Sequence, residues 1–227
     1  VDRMVEGYQI KYGRKTAFAS PENNPTFLHA HKLMRKIGNW MPSKMDINTD
    51  KWKEVTEVVN DNFYFIENER YDLDSVLEKG AVLFKRKCMK CLVIDPYNKI
   101  KMNGANSMSI PDATMEYLTR IEAFAKKHDV LVIVVAHPTK MYKKEDGTLD
   151  EPNMYNIKGG GEWYDASYHG LLVHRDYTKG TVKVKVLKVK FQNLGENQAE
   201  VHFKWDKISG NYLPLQDVTQ VLMPWEV

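Results

Sequence analysis

Residues 91–95 read CLVID and residues 131–136 read LVIVVA, and the fold prediction rests on these two apolar stretches. Residues 111–128, which lie between them, have the amphipathic pattern of a long helix. Strands that are apolar throughout are typical of parallel sheets whose two faces are both covered, and a helix is the usual crossover between parallel strands. We therefore predict an α/β fold with a mainly parallel, twisted sheet flanked by helices.

The rest of the chain extends this prediction in both directions. Before CLVID the patterns predict helices over 2–12, from Pro25, from Asn48 or Thr49 to about residue 60, and over 73–87, with strands over 15–20 and 63–66. After residue 170 they predict strands in LLVHR, TVKVKVLKVKF, AEVHFKW and NYLPL, joined by short turns. In the second of these strands, valines alternate with lysines, so each type occupies its own face. We expect these strands to add an antiparallel extension to the edge of the parallel sheet.

Composition supports one domain over residues 1–227 and excludes little else. The chain is 43% apolar and 28% charged, and its net charge of +3 is too small to prove nucleic-acid binding. Lysines cluster in 140–144 and 179–190, where they form either a phosphate-facing stripe or a solvated basic face. The longest apolar run, 130–136, is too short to span a membrane. Because residue 1 is valine, we expect an N-terminally truncated domain.

Cys88 and Cys91 have C-x-x-C spacing, which invites a zinc or redox interpretation. A structural zinc site needs four ligands, and the sequence has no second cysteine pair. The pair also lies where a helix runs into a strand, not where a strand runs into a helix. We predict simple core and surface cysteines and a reducing, cytoplasmic setting.

Three polar residues each follow a predicted parallel strand. Glu22 comes after KTAFAS, Asp95 ends CLVID, and His137 follows LVIVVA. Since the carboxyl ends of parallel strands meet at one edge, these side chains should converge where such folds bind ligands. Glu22 could accept a proton from water, Asp95 could hold Mg²⁺ beside a phosphate, and His137 could sense a γ-phosphate. Taken singly, each could also have only a structural role.

Further candidates lie in the C-terminal half of the chain. The segment IKGGGEWYDAS contains Gly159–Gly161, which allows close backbone approach to a ligand or simply a flexible turn. HRD places Arg175 at a strand end, and KVKF places Lys188 and Lys190 two residues apart. These cations could neutralise phosphate charge across a subunit boundary, or they could form the polar face of an edge strand.

In this order, KTAFASPENNP, LVIDPYNKI, VVAHPTK, IKGGGEWYDASYHGLLVHRD and VLKVKFQNLG resemble five motifs of the DnaB-type hexameric helicases, in particular the helicase halves of phage primase-helicases and Twinkle. The resemblance runs from about residue 1 to residue 215. It implies a RecA-like motor domain that uses ATP or another NTP with Mg²⁺. It also implies single-stranded DNA as partner, a homo-hexamer in the full-length protein, a possible primase domain or partner, and a bacterial or phage-infected cell. No membrane partner is expected.

The resemblance assigns roles to individual residues. Those at the nucleotide are Glu22 polarising water, Asp95 binding Mg²⁺, His137 sensing phosphate, Arg175 and Trp205 holding the base, and Lys188 and Lys190 reaching the neighbouring subunit's site. Those facing DNA are Lys140, Lys143, Lys144, Lys158, Gly159 and Gly160.

Two departures from the family pattern leave alternatives open. The sequence contains no G-x-x-x-x-G-K-[ST], so we expect the isolated chain to bind triphosphate weakly and to be inactive alone. Lys190 stands where the family has an arginine, and lysine cannot make the bidentate contact. The main alternative is a catalytically silent RecA-like module that binds DNA or a partner, and another is a strand-exchange recombinase of the same superfamily.

Overall fold

The structure, a computed structural model, describes residues 1–39, 49–104, 107–140, 151–177, 179–207 and 210–215. Its helices are α1 (Asp2–Tyr12), α2 (Thr26–Gly38), α3 (Asp50–Asn62), α4 (Leu73–Lys87), α5 (Ile110–His128) and α6 (Gly161–Ala166). Its strands are β1 (Lys15–Ala19), β2 (Phe63–Phe65), β3 (Met89–Ile94), β4 (Leu131–Val134), β5 (His169–Asp176), β6 (Thr181–Val189), β7 (Glu200–Trp205) and β8 (Tyr212–Pro214). The predicted α/β class and the order of the predicted helices and strands are confirmed, whereas α6 was not predicted from the sequence.

Local signals set the helix ends. α1 ends at Gly13, which adopts the left-handed conformation with φ +62°. α3 begins after Thr49, whose side chain accepts a hydrogen bond from the Trp52 N–H, and α5 begins after Ser109, which accepts one from the Asp112 N–H. Such caps satisfy backbone donors that have no partner within the helix, and each contributes about 1 kcal/mol.

The first four strands form a parallel sheet in the order β2–β1–β3–β4. The register places Ala17 of β1 beside Leu92 of β3, and Val93 of β3 beside Ile133 of β4. Because the strands all run the same way, the chain leaves β1, β3 and β4 at one edge of the sheet. That carboxyl edge is where open α/β sheets bind ligands.

Helices cover both faces of this sheet, as predicted. Phe18 and Val93 point to one face, where they pack with apolar residues of α1, α2 and α3. Ala17 and Leu92 point to the other face and pack with residues of α4 and α5. Burying one large apolar side chain stabilises the fold by about 1.5–3 kcal/mol. Alternate residues of β1 and β3 therefore attach the helices on both faces to the sheet. No helix in the described ranges is long and apolar enough to cross a membrane.

The C-terminal strands form a separate antiparallel sheet in the order β5–β6–β7–β8. The predicted C-terminal antiparallel extension is confirmed, but it forms its own sheet and does not join the edge of the parallel sheet. Beyond β4 the chain forms an isolated bridge between Pro138 and Ile157, and proline has no N–H with which to continue a ladder. β5 instead pairs along its length with β6, from His169–Val189 to Asp176–Thr181.

β6 shows the predicted alternation, but its lysine face is not simply solvated. Lys183 forms ion pairs with Glu151 and, at 3.6 Å, with Glu200. Lys185 Nζ lies 3.0 Å from the second carboxylate oxygen of Glu151. The hydrogen bond from Lys183 lowers the pKa of Glu151 below its usual range. These two lysines are thus engaged within the chain, and they attach the segment that begins at Glu151 to the second sheet.

Candidate functional site

Glu22 and His137 meet at the carboxyl edge of the parallel sheet. Glu22 lies in a short 3-10 helix, Pro21–Asn23, directly after β1, and His137 follows β4 by three residues. Glu22 Oε2 is 3.9 Å from His137 Nε2. The two side chains are 47% and 59% exposed, so a ligand beyond the edge could reach both of them.

Asp95 lies between them in the sheet order, directly after β3. Its N–H donates to the Ala19 carbonyl at 3.0 Å, and its own carbonyl accepts from the Ser20 hydroxyl at 3.0 Å. Burial raises the pKa of the Asp95 carboxyl above its usual range, and the negative charges of Asp2 and Glu22 act in the same direction. Burial and neighbouring negative charges disfavour the ionised form of this carboxyl group, and a nearby cation would stabilise that form.

The residues around Asp95 fit a magnesium ion that is held mostly by water and phosphate. Over the described residues, no three side chains of His, Cys, Asp or Glu converge as a metal cage. Mg²⁺ commonly takes one or two carboxylates and keeps several waters beside substrate phosphates. Asp95 is the carboxylate that would serve in this way, with its backbone fixed by Ala19 and Ser20.

Ser20 and Asn23 hold the turn that presents Glu22, a role that no sequence pattern indicated. Asn23 Nδ2 donates to Ser20 Oγ at 2.7 Å, while Ser20 Oγ donates to the Asp95 carbonyl. Lys32 from α2 donates to Asn23 Oδ1 at 2.6 Å. The turn after β1 is therefore joined both to the end of β3 and to α2, which limits the movement of Glu22.

Asp2 forms a second network that pattern reading missed. Its carboxylate accepts hydrogen bonds from His29 Nε2 and Lys36 Nζ, both at 3.0 Å. His29 is buried, with its ring against Phe18 and Phe65. Burial alone would raise the pKa of Asp2, but the bond to His29 and the charge of Lys36 outweigh it and lower the pKa well below its usual range. The available signal was only an acidic residue in a first helical turn.

Residues 138–140, just after His137, lie beside residues 156–158, just before the glycine turn. The Pro138–Ile157 bridge and a hydrogen bond from the Thr139 N–H to the Asn156 carbonyl, at 2.6 Å, bring residues 138–140 next to 156–158. Lys140 and Lys158 are both exposed in this region. Lys143 and Lys144 lie outside the described residues.

The glycines at 159 and 160 have structural reasons of their own. Gly159 has φ +105°, and a Cβ there would collide with the Thr114 side chain of α5. Gly160, with φ +62°, immediately precedes α6. The Lys158 carbonyl accepts from Trp163 Nε1 at 3.0 Å and from the Tyr97 hydroxyl at 3.1 Å. The backbone at Gly159 thus packs closely against α5, and its approach to a ligand stays a prediction.

Arg175 lies between two aromatic rings at the end of β5. Its guanidinium carbon is 4.9 Å from the ring centroid of Tyr177 and 5.6 Å from that of Trp205. The register of β5, β6 and β7 puts Arg175, Val182 and Phe203 in one row on the same face of the sheet. The structure thus brings Arg175 and Trp205 together, with Tyr177 as a further aromatic partner that was not predicted from the sequence.

Lys188 and Lys190 have different surroundings. The Lys188 ammonium donates to the Tyr164 carbonyl and lies 4.6 Å from the Tyr164 ring centroid, so it is engaged at the end of α6. Lys190 is exposed, with its ammonium 4.1 Å from the ring centroid of Tyr168. Of the two, Lys190 is better placed to extend toward another molecule.

The cysteines agree with the core-and-surface prediction. Cys88 is exposed, and Cys91 is buried. Burial raises the pKa of the Cys91 thiol to about 12, so it stays protonated and unreactive at neutral pH.

Comparison with known proteins gives the fold a family context. No protein-family model matches the chain. The Twinkle homolog protein, chloroplastic/mitochondrial, of Arabidopsis thaliana is 27% identical in an alignment that covers 93% of this chain and 31% of that protein. A solved structure described as an ATPase domain has a TM-score of 0.67 and 14% identity, over 91% of this chain and 76% of its own. A DnaB-like replicative helicase, described with its interactions with primase, has a TM-score of 0.68 and 16% identity, over 91% and 52%.

The chain has the RecA-like fold of a DnaB-type helicase motor domain. The resemblance inferred from the five ordered motifs is therefore confirmed. The chain spans about a third of the length of the Twinkle homolog that it matches. The name of that relative refers to chloroplasts and mitochondria, so the cytoplasmic setting of this chain stays a prediction.

Proposed function

We propose that this chain is the motor domain of a replicative DNA helicase, which moves along single-stranded DNA by hydrolysing ATP or another NTP. The observation that carries the proposal is the Glu22–His137 pair, 3.9 Å apart, beside the partly buried Asp95 at the carboxyl edge of a RecA-like sheet. A base, a phosphate sensor and a cation-binding carboxylate at one ligand-binding edge are three of the groups that nucleotide hydrolysis uses.

Each of the three side chains has one part in the proposed mechanism. Glu22 accepts a proton from the water that attacks the γ-phosphorus, while the bond from that phosphorus to the β–γ bridging oxygen breaks and the nucleoside diphosphate leaves with the oxygen. His137 donates a hydrogen bond to the γ-phosphate and relaxes toward Glu22 when that phosphate leaves. Asp95 would help to hold Mg²⁺, and the ion, when bound, would neutralise phosphate charge. Ser20 and Asn23 keep Glu22 in position through the hydrogen bonds that link the turn to β3.

The residues proposed to contact DNA begin directly after His137 in the sequence. The segment 138–140 lies against 156–158, so a shift of His137 would move Lys140 and Lys158 together. We assign to these lysines, to the Gly159–Gly160 turn and to Lys143 and Lys144 the contact with DNA phosphates, which cationic side chains favour.

Assembly is also part of the proposal. Six copies in the full-length protein would enclose one DNA strand, with Lys190 reaching the phosphates bound by a neighbouring copy. Arg175 and Trp205 would hold the nucleotide base, since the guanidinium and the indole ring already lie together on one sheet face. A primase domain or primase partner would complete the replication complex.

The decisive experiment measures ATP hydrolysis with and without single-stranded DNA, using the full-length natural protein. A Glu22→Gln variant should lose about 10²–10⁴-fold in rate, because the general base is removed while the size is kept. Glu78→Gln, on the exposed face of α4, is the matched control and should hydrolyse ATP normally. DNA-stimulated hydrolysis that is equally fast in the Glu22 variant would contradict the proposal.

The 227 residues taken alone should bind triphosphate weakly, because their sequence contains no phosphate-binding loop. This feature also favours a second candidate, a RecA-like module that binds DNA or a partner without catalysis. A folded full-length protein that binds single-stranded DNA but never hydrolyses ATP would establish that second function.

A further inference from the structure

Tyr155 is an exposed aromatic side chain on a rigid turn. It lies in the 3-10 turn Met154–Asn156, where Met154 is buried and Tyr155 is 58% exposed. The Asn153 side chain accepts from the Tyr155 N–H at 2.9 Å, and Asn156 Oδ1 accepts from the Asn153 N–H at 2.8 Å. With one residue anchored inside and the backbone held on both sides, the turn presents Tyr155 outward in a fixed orientation.

The Tyr155 ring is itself held by its neighbours. It is stacked on the Tyr164 ring, with 5.3 Å between centroids and 18° between planes. It also lies over the start of α6, where a Cβ on Gly161 would be 3.8 Å from the ring. Because one face is covered by Tyr164, the exposed surface is the opposite face together with the ring edge. A ring already fixed in this way loses little conformational entropy when something stacks on it.

The surroundings of Tyr155 combine apolar side chains with polar groups. A cleft of about 520 Å³ opens beside Tyr155 and Tyr164, and its lining includes the amides of Asn153 and Gln198. Glu151 also lines the cleft, but its charge is balanced by ion pairs with two lysines of β6. Such a volume suits a small planar ligand, and amide groups can bond to the edge of a base.

The turn also belongs to the segment that we assign to DNA. The Asn156 carbonyl accepts from the Thr139 N–H, which holds the turn next to the exposed Lys140. Lys158 and the glycine turn follow within the same stretch of chain. Exposed lysines beside an exposed ring are the combination by which proteins bind single strands, with phosphates on the cations and bases on the aromatic face.

We propose that Tyr155 is a stacking platform for an unpaired base of single-stranded DNA. The inference rests on the proposed helicase function and deepens it, because it adds a base contact to a site otherwise made of phosphate contacts. Stacking is tolerant of sequence, since every base has an aromatic face. Such a contact suits a protein that must move along any strand.

The test compares two labelled oligonucleotides of equal length by fluorescence anisotropy, one of deoxythymidines and one abasic, with the full-length natural protein. Both carry the same phosphates, so the difference in affinity reports contacts to bases. Tyr155→Ala should weaken binding of the deoxythymidine strand by about ten-fold and leave binding of the abasic strand unchanged. Tyr155→Phe keeps the ring and should bind both strands as the wild type does.

Tyr12→Ala is the matched control. Tyr12 is also half-exposed and lies beside another tyrosine, Tyr8, with ring centroids 5.6 Å apart. It ends α1, just before β1 begins, and so lies at the opposite edge of the sheet from Glu22. This variant should bind both strands normally.

Three results would overturn the inference. If Tyr155→Ala leaves affinity for the deoxythymidine strand unchanged, or weakens both strands equally, Tyr155 does not stack on a base, although the proposed function stands. If the wild type binds neither strand and its ATP hydrolysis ignores DNA, the proposed function fails and the inference fails with it.

Discussion

Glu22 Oε2 and His137 Nε2 lie 3.9 Å apart at the carboxyl edge of the sheet, although they follow different strands. That separation is longer than a hydrogen bond, so the two side chains are near enough to respond to each other but are not locked together. We expect His137→Ala to reduce DNA-stimulated ATP hydrolysis by about 10²-fold, because the link between phosphate and DNA segment is lost.

A double-mutant cycle tests this coupling. If Glu22 and His137 act in one step, the double variant Glu22→Gln, His137→Ala should be little slower than Glu22→Gln alone. Rate losses that multiply would show that the two residues act independently.

Lys188 and Lys190 should differ in what their loss affects. Lys188→Met removes the donor to the Tyr164 carbonyl at the end of α6, so it should lower the free energy of unfolding by about 1–3 kcal/mol. Lys190→Met should leave the unfolding midpoint unchanged, because the Lys190 side chain is exposed. The same variant should slow ATP hydrolysis by about ten-fold, because a cation near the phosphates is lost. Urea unfolding and ATPase assays on both variants measure this contrast. If Lys188→Met slows hydrolysis and Lys190→Met lowers stability instead, Lys188 would be the residue that reaches the phosphates bound by a neighbouring copy.

Asp2 should make stability depend on pH in the acid range. Folding lowers its pKa, so its contribution is present above the ordinary carboxyl value of about 4 and is lost as pH falls through the lowered native pKa. Asp2→Asn should therefore destabilise the chain by about 1.5–3 kcal/mol at pH 7, with a smaller difference from the wild type as the pH falls well below 4.

Urea unfolding at neutral and acid pH measures this difference. Asp50→Asn is the control, since Asp50 is also in a first helical turn and 3.4 Å from a lysine but is fully exposed. Its midpoint should not move at either pH. A difference between Asp2→Asn and wild type that stays constant with pH would contradict the assigned cause.

Gly159 should tolerate no side chain. Gly159→Ala would place a Cβ at positive φ and against Thr114, so it should lower the free energy of unfolding by about 2–4 kcal/mol. Gly104→Ala has φ +84° with no atom within 4 Å of the added Cβ, so it carries the backbone cost alone. The difference between the two variants in thermal unfolding isolates the contact with α5. Equal losses would mean that α5 shifts freely.

Much of the fold could be predicted from particular stretches of sequence. The two apolar runs ending at Asp95 and before His137 predicted parallel strands, and the structure has β3 and β4 there. Helix ends could be predicted because capping contacts lie within a few residues of one another in the chain, as at Gly13, Thr49 and Ser109. The position of Glu22 at the ligand-binding edge was predictable for a different reason, because the carboxyl ends of strands in a parallel sheet share one edge.

Other features depended on contacts between distant residues. The lysines of β6 read as a basic face, yet Lys183 and Lys185 are paired with Glu151. The buried His29 and its bond to Asp2 had no sequence pattern, because the partners belong to different helices. The orientation of the exposed Tyr155 ring also depends on stacking against Tyr164 of α6.

Local sequence was sufficient to predict the α/β class, the order of the elements, and the three polar residues that follow β1, β3 and β4. Periodicity and capping act over a few residues, and parallel strands must end at a common edge. Tertiary packing was needed to establish that β5–β8 form a separate sheet, that Glu22 and His137 lie 3.9 Å apart across the strand that precedes Asp95, and which lysines remain available. These outcomes depend on packing and charge pairing between segments far apart in the chain, for which a single sequence carries no local signal.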